Sequence, residues 1–134
     1  EELAYFSNYR QGVDKLEKGV YGLSNHLLDS PWPKVVKGKK RFKDIIDSED
    51  VLPGALFEFM FDDVQAEDDQ LPDTGVGLER ERVLSSMFIK SPGYGTRCST
   101  VILIDRDNHV QFSERVFDTS NFTFTEKTFT FQVR

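Results

Sequence analysis

The spacing of apolar residues predicts two helices in the first half of the chain. Over residues 32–47 they recur on one face at helical spacing, with lysines on the other face. Ser30 before Pro31 predicts the N-cap of this helix, and Trp32 is expected to anchor it and to be largely buried. A second helix is predicted over 53–61, and the inward positions of the two helices are Val35, Phe42, Ile45, Ile46, Leu56, Phe57 and Met60.

Extended segments are predicted at both ends of the chain. Residues 3–7 and 20–23 read as short strands, with a turn at 8–12 after the first, and 86–90 reads as another strand. The branched run 101–104 predicts a central strand covered on both faces, because both alternating sets of side chains are apolar.

The rest of the second half completes an antiparallel meander. Residues 110–116 alternate as the hairpin partner of the branched run, and 122–133 predict a further strand with one buried face. An acidic loop is expected over 62–78 and a helical turn over 80–84. The fold class is therefore α+β, with helices packed on a mostly antiparallel sheet.

Length and charge limit the classes of function. The chain has 134 residues, which suits one domain, and its net charge of −6 argues against nucleic-acid binding through the mean field. No apolar stretch approaches the roughly 20 residues that cross a bilayer, so no membrane span is predicted. The single cysteine excludes an internal disulfide and favours a reducing compartment.

Several chemistry-bearing residues also have a purely structural interpretation. Six basic residues within 34–43 form either a solvated helix face or a docking surface for a phosphate, a carboxylate or an acidic headgroup. Cys98 is expected to be a half-buried core thiol rather than a nucleophile. The two histidines are isolated, so no metal site is predicted. Residues 105–109 resemble the start of a calcium loop, but the later glycine and glutamate are missing, which favours a hairpin turn.

Two glycine-containing motifs carry the strongest functional signal. They are Gly19-Val20-Tyr21-Gly22-Leu23-Ser24-Asn25 and Pro92-Gly93-Tyr94-Gly95-Thr96-Arg97. Each motif places one strongly hydrogen-bonding side chain, that of Asn25 or Arg97, beside a turn next to a predicted strand. An Asn donor with an Arg charge suits an oxyanion or carboxylate site, so we expect both residues to meet in a concave pocket. Alternatively, Asn25 caps its own turn and Arg97 pairs with one of many acids. The ligand-binding residues predicted here are Ser24, Asn25, Trp32, Tyr94, Thr96 and Arg97.

These motifs resemble the transport and Golgi organisation 2 family, also called the NRDE family. The similarity continues in order through Asp29-Ser30-Pro31-Trp32, Leu71-Pro72-Asp73 and Phe112-Ser113-Glu114-Arg115. The family begins with a Met-Cys pair and carries an Asn-Arg-Asp-Glu motif in its N-terminal half, and neither is present here. Residues 1–134 are therefore expected to be the C-terminal portion of one such domain, with an apolar sheet edge left unpaired.

The resemblance implies an N-terminal-nucleophile-hydrolase-like sandwich of two antiparallel sheets between helix layers. In such enzymes the first residue of the mature chain attacks an amide. Glu1 cannot do so, so this chain alone is not expected to be a hydrolase, and whether the longer protein is an enzyme stays open. In related amidases an Asn helps to form the oxyanion hole and an Arg flanks the nucleophile. By that analogy Asn25 and Arg97 are the catalytic candidates.

The family implies a role in Golgi and secretory organisation, haem mobilisation and lipid or acyl-CoA homeostasis. The first hypothesis is a carrier or chaperone for haem or an acyl lipid. The alternatives are a cysteine amidase whose nucleophile lies in the missing half, and an interaction protein with a vestigial pocket. No cofactor is expected, with haem only as a transported ligand. The expected partners are the missing N-terminal half, a small anionic or apolar ligand and a second copy. The expected location is the cytoplasm, with Golgi or mitochondrial association as alternatives.

Overall fold

The computed structural model describes residues 2–48 and 51–133 and is α+β, as predicted. Its strands form three separate antiparallel sheets, ordered β1-β2, β3-β4 and β5-β6-β7. In chain order the elements are β1 Leu3–Phe6, β2 Val13–Leu16, α1 Pro33–Asp47, α2 Pro53–Met60, a 3₁₀ turn Asp68–Gln70, α3 Leu78–Leu84, β3 Lys90–Ser91, β4 Tyr94–Gly95, β5 Cys98–Ile104, β6 His109–Phe117 and β7 Phe124–Gln132.

Both predicted helices are confirmed, but α1 is not capped by Ser30. Trp32 occupies the N-cap position, where its carbonyl oxygen accepts from Val36 N at 3.0 Å, and Pro33 starts the helix. The Ser30 hydroxyl instead donates to the Leu27 carbonyl oxygen at 2.8 Å, so it serves the preceding loop. None of the described helices has the length and apolar character needed to cross a membrane.

The main core lies between α2 and one face of the three-stranded sheet. Leu56 and Phe57 are buried against Val101 of β5, and Phe42 and Leu103 pack around them half-buried. The inward positions predicted for α2 are therefore confirmed. On α1, Val35 is buried, while Ile46 is 40% exposed and does not belong to the inward stripe.

A second, aromatic core surrounds Phe88, which is fully buried. Its ring centroid lies 4.4 Å from that of Phe61 and 4.7 Å from that of Phe117. The Lys90 ammonium lies 4.3 Å from the centre of the Phe61 ring, a cation–π contact. These contacts join the end of α2, the segment before β3 and the end of β6.

The opposite face of the three-stranded sheet is open and apolar. The register pairs Ile102 with Phe112 and Phe112 with Phe129, and directly opposite residues share a face. Ile102, Ile104 and Phe129 are 55%, 62% and 58% exposed. We call this surface the outer face. Its apolar members are Ile102, Ile104, Val110, Phe112, Val116, Phe129 and Phe131, of which Val110 on the central strand is itself buried.

Two predictions about this sheet are wrong. The run 101–104 does not form a central strand covered on both faces, because β5 is an edge strand and its outer side chains are exposed. The strand β7 has no buried face, since all nine of its residues are exposed. The described helices pack on the Val101 side of β5, opposite the outer face, and leave both sides of β7 exposed.

Two predicted strands do not form. Residues 20–23 are irregular, because both backbone groups of Gly22 bond to Asp29 instead of a neighbouring strand. The segment 86–90 contributes only Lys90 to a strand, since Phe88 N donates to the Asp62 carbonyl oxygen and Ile89 N to the Thr96 hydroxyl. The actual partner of β1 is β2, within 13–16.

Asp62 joins α1 to the loop after α2. Its Oδ2 accepts Lys37 Nζ at 2.6 Å and Arg41 Nη1 at 2.8 Å, and its Oδ1 accepts Val64 N at 3.1 Å. Burial by itself raises the pKa of this carboxyl. The hydrogen bonds from Lys37 and Val64 and the two positive charges outweigh burial and lower the pKa.

We expect Asp62→Asn to lower the free energy of unfolding at neutral pH by about 1–2 kcal/mol, because two cations lose their partner. The pKa of Asp62 is lower in the folded chain than in the unfolded chain. The contribution of this carboxylate to stability is therefore complete above the unfolded-state pKa of about 3.9 and is lost as the pH falls through the folded-state pKa. Urea titrations at neutral and acid pH measure it. Asp44→Asn, at an exposed pair with Lys40, is the control and should change stability by less than about 0.5 kcal/mol. Equal effects of the two variants at neutral pH would contradict this role.

We expect the outer face to cause self-association of this chain, because large exposed apolar patches drive association. Ile102→Ser with Phe129→Ser should reduce the associated fraction, with a stability change of about 1 kcal/mol or less per site. Light scattering coupled to size exclusion at about 100 μM protein, well inside the range where exposed surfaces associate, measures the effect. A monodisperse monomer of the parent chain would show that the face does not act as an interface.

Candidate functional site

The segment 22–29 is a closed loop fastened to α1. Gly22 N donates to Asp29 Oδ1 and Asp29 N donates to the Gly22 carbonyl oxygen, both at 2.8 Å. Lys39 Nζ on α1 lies 2.8 Å from the same Asp29 carboxylate. The hydrogen bond from Lys39 lowers the pKa of Asp29 most, and the hydrogen bond from Gly22 N lowers it further. The loop therefore holds Ser24 and Asn25 against the helix.

Gly22 is required by close packing on α1. A Cβ atom at this position would lie 2.7 Å from Val35 Cγ1, well inside van der Waals contact. Val35 is buried and cannot move away easily. The glycine of the first motif therefore sets how closely the loop approaches the helix.

The second motif forms the β3–β4 hairpin. A Cβ at Gly95 would lie 2.7 Å from the Ile89 carbonyl oxygen, so only glycine fits. Thr96 N donates to that oxygen and Ile89 N donates to the Thr96 hydroxyl, both at 2.9 Å. The Thr96 side chain thus has a structural partner, and the hairpin holds Tyr94 and Thr96 in fixed positions.

A cavity lined by residues of both motifs lies between the loop, α1, α2 and the start of β5. It has a volume of about 600 Å³, and we call it the α1 pocket. Ser24, Asn25 and Thr96 contribute polar groups, and Lys34 and Lys39 contribute positive charge. Its apolar lining comes from Tyr21, Leu23, Val35, Phe42, Phe59, Met60 and Met87.

A smaller cavity of about 270 Å³ lies around Trp32, and we call it the Trp32 pocket. Trp32, Tyr94 and Asn25 line it together with Lys34 and Glu81. Glu81 is buried, and its Oε1 accepts both the backbone N–H and the hydroxyl of Thr74. Asn25 and Lys34 line both pockets and therefore lie where the two meet.

The structure brings five of the six predicted ligand-binding residues to these pockets. Ser24 and Thr96 line the α1 pocket, Trp32 and Tyr94 line the Trp32 pocket, and Asn25 lines both.

Arg97 is the residue that lines neither pocket, so the structure does not bring it into one cavity with Asn25. Its side chain is exposed, and its carbonyl oxygen accepts Phe117 N at 2.8 Å. The catalytic roles of Asn25 and Arg97 stay predictions, and Glu1 lies outside the described residues.

Trp32 is partly buried, which does not contradict the prediction that most of its ring is covered, although the residue is not part of the core. The residue precedes the first turn of α1, and Val35 takes the inward position instead. The His26 ring lies 5.8 Å from the indole by centroids, and the Lys34 ammonium is 6.0 Å from the ring centre. The indole is thus a partly exposed wall of its pocket.

Cys98 is exposed, so the prediction of a half-buried core thiol is wrong. It is the first residue of β5 and lies on the face opposite Val101, away from the main core. Cys98, Ser99 and Thr100 line the α1 pocket, whereas neither His26 nor His109 lines it. The pocket therefore provides no histidine as a base for this cysteine.

The basic face of α1 is largely neutralised by acids. Among the described residues, the cations of its middle and last turns all have carboxylate partners: Lys37 and Arg41 with Asp62, Lys39 with Asp29, Lys40 with Asp44, and Lys43 with Asp47. This favours the interpretation of a solvated, ion-paired helix face over that of an open anion-docking surface.

Lys34 differs from the other cations of α1. Its Nζ donates to the Leu84 carbonyl oxygen at 2.8 Å and forms no ion pair within the described residues. Burial lowers the pKa of Lys34, and the charge of Glu81 partly offsets this effect. Sequence reasoning missed both residues as site members, because Lys34 was grouped with the basic run and Glu81 lies in an acidic region. The only sequence signal for Lys34 is its position just after Pro33, in the first turn.

The turn at 105–109 is a hairpin, as predicted. Asp105 Oδ1 accepts Asp107 N and His109 N at 2.8 Å, and its Oδ2 lies 3.0 Å from His109 Nδ1. These hydrogen bonds hold the pKa of the Asp105 carboxyl below its usual value. The bond that His109 N donates has the largest effect. The carboxylate is thus used by the turn that joins β5 and β6.

Comparison with known proteins gives one family. The family model for transport and Golgi organisation 2 matches residues 1–119. The chain is 40% identical over 108 residues to a human protein named transport and Golgi organization protein 2 homolog, covering 75% of this chain and 39% of the human one. A mouse homolog is 34% identical over 128 residues, covering 87% and 46%. The Drosophila transport and Golgi organization protein 2 is 30% identical over 119 residues, covering 81% and 41%. The matched regions thus amount to less than half of each relative.

We expect Gly22→Ala to lower the free energy of unfolding by about 1–3 kcal/mol, because the new methyl group overlaps Val35 Cγ1. Urea denaturation measures the loss. The same Gly22→Ala change should cost less in a Val35→Ala background, because the overlapping atom is then absent. Gly54→Ala is the control, since nothing lies within 4 Å of its Cβ position in α2, and it should stabilise the chain by about 0.5–1 kcal/mol. No coupling between positions 22 and 35 would mean that the loop does not rest on α1 as described.

Proposed function

Since the chain belongs to the transport and Golgi organisation 2 family, we propose that it is the ligand-holding part of a carrier or chaperone. The ligand we propose has an apolar body and an anionic group, and haem and acyl lipids are the candidates that the family resemblance implies. The observation that supports this most directly is the α1 pocket, which combines apolar walls with polar groups and positive charge.

The size and walls of the pocket suit a small amphipathic molecule. Its volume of about 600 Å³ falls within the range of about 300–1,000 Å³ typical of small-molecule sites. Both methionines of the chain, Met60 and Met87, line it. Methionine side chains adapt to irregular shapes, which suits a carrier whose ligand must enter and leave.

The polar part of the pocket offers hydrogen-bond donors to a ligand. The Ser24 hydroxyl reaches Asn25 Oδ1 at 3.5 Å, and the amide nitrogen of Asn25 has no hydrogen-bond partner within residues 2–48 and 51–133. An amide N–H₂ without a partner can donate to a carbonyl or carboxylate oxygen of a ligand. This is the role that the sequence motif predicted for Asn25.

Hydrolysis is the weaker candidate for this chain. Cys98 lines the pocket without a histidine, so the pocket provides no imidazole to act as the general base of a thiol nucleophile. We expect the purified chain not to cleave N-acyl amides. Cleavage that is abolished by Cys98→Ala would overturn this interpretation.

We further propose that the outer face supports a second antiparallel sheet in the longer protein, as in an N-terminal-nucleophile-hydrolase-like sandwich. Seven apolar residues over three strands favour a packed layer there. Serine substitutions matching those at Ile102 and Phe129, made in a full-length relative, should then cost about 2–5 kcal/mol each, as buried positions do. Losses of unfolding free energy of about 1 kcal/mol or less per site, as expected for this chain alone, would contradict the sandwich. Cytoplasmic location with Golgi or mitochondrial association also stays a proposal.

The carrier proposal predicts that filling the α1 pocket weakens ligand binding. Gly38 on α1 lines the pocket, and a Cβ there would lie 3.4 Å from Met87 Sδ. A leucine side chain at this position must extend into the cavity, while leucine favours the helix more than glycine does. We expect Gly38→Leu to weaken binding of 11-(dansylamino)undecanoic acid by about tenfold or more, the effect of losing an interaction of about 1.4 kcal/mol.

Dansyl fluorescence titration measures this binding, and thermal unfolding checks that the variant is folded. Val36→Leu is the matched control, because Val36 lies on α1 and is 56% exposed. Unchanged affinity of folded Gly38→Leu would place the ligand elsewhere. Failure of the parent chain to bind the probe would contradict the carrier function.

A further inference from the structure

We propose that Lys34 is the residue that binds the anionic group of the ligand, at the junction of the α1 pocket and the Trp32 pocket. The ligand class is an acyl chain that ends in a carboxylate. This inference rests on the carrier function proposed above and adds the residue that recognises the charged end.

The position of Lys34 distinguishes it from the other cations. It lines both pockets, and Lys39 is the other lysine that lines the α1 pocket. Lys39 is already bound to the Asp29 carboxylate at 2.8 Å, where it fastens the loop. Lys34 is therefore the lysine of the α1 pocket that has no carboxylate partner in the described part of the chain.

The hydrogen bonds of Lys34 leave donors for a ligand. An ammonium group has three N–H bonds, and the Leu84 carbonyl oxygen accepts one of them at 2.8 Å. The contact with the Trp32 ring, at 6.0 Å from its centre, lies at the outer limit of cation–π distances. Two N–H bonds thus remain to bind a carboxylate.

The nearby carboxylate of Glu81 does not replace this ligand. Its Oε1 is held by the backbone N–H and the hydroxyl of Thr74, and it forms no ion pair with Lys34 within 4.0 Å. Glu81 therefore moderates the burial of the Lys34 charge from a distance. A ligand carboxylate in direct contact would stabilise the ammonium further, because charge-assisted hydrogen bonds are stronger than neutral ones.

The geometry assigns the two ends of the ligand to different walls. Phe42, Phe59, Met60 and Met87 line the α1 pocket and suit the acyl chain. Asn25 also lines both pockets, and its amide supplies a donor for the second carboxylate oxygen.

The test compares a charged and a neutral probe on one pair of variants. The probes are 11-(dansylamino)undecanoic acid and its methyl ester, which share the apolar body and differ in the charge. Lys34→Met removes the ammonium and keeps the aliphatic stem. The matched control is Lys40→Met on the same helix, where the lysine is exposed and lines neither pocket.

We expect Lys34→Met to weaken binding of the acid by about tenfold or more, the size of a lost charge-assisted hydrogen bond. The ester should bind both forms alike, Lys34→Arg should retain most of the affinity for the acid, and Lys40→Met should change neither probe. Thermal unfolding confirms that each variant is folded.

Each other outcome overturns something specific. If the acid binds Lys34→Met as tightly as the parent, the role of Lys34 fails and the carrier function stands. Equal losses for acid and ester would mean that Lys34 only shapes the pocket, which also refutes the proposal. If the parent binds neither probe, the carrier function fails and this inference fails with it.

Discussion

The rest of this structure depends on two carboxylates that hold α1 in place from both sides. Asp29, in the loop before the helix, binds Lys39, and Asp62, in the loop after α2, binds Lys37 and Arg41. Each aspartate also accepts backbone N–H groups of its own loop, so each ion pair fixes a loop as well as a helix. The loop that Asp29 fastens lines the α1 pocket, so the shape of this pocket depends on the bond between Asp29 and Lys39. The positive charges of Lys37, Lys39 and Arg41 thus fix the helix in the fold and are not available to a binding partner.

The sequence predicted the helices well because their signals are local. Prolines start α1 and α2, and apolar residues at helical spacing face the sheet. The strands were less predictable, since their partners lie elsewhere in the chain. A run such as 20–23 has strand-like composition, yet Gly22 bonds to Asp29, and no local pattern announces that pairing. Both sides of β5 are apolar, and this pattern does not reveal that the described chain leaves one of the two sides uncovered.

The candidate site was predictable where glycine reveals a close approach. Gly22 and Gly95 each lie too near other atoms for any side chain, and the polar residues next to them line the pockets. Lys34 was not predictable, because its difference from the neighbouring lysines lies in what surrounds it. Arg97 shows the converse error: it follows the same kind of motif as Asn25, but β5 begins directly after it and its side chain is exposed. A motif fixes the backbone of a turn more reliably than the direction of every side chain in it.

The composition of the α1 pocket has a practical consequence. The chain contains two methionines and one cysteine, and Met60, Met87 and Cys98 all line this cavity. All three sulfur-containing residues of the chain therefore line one cavity, and an occupant in contact with the two methionines would shield their thioethers from dissolved peroxide. Thioether and thiol oxidation add oxygen atoms that intact-mass spectrometry counts directly. The rate of that mass increase is thus an internal gauge of whether the cavity is filled, and it needs neither a label nor a substitution.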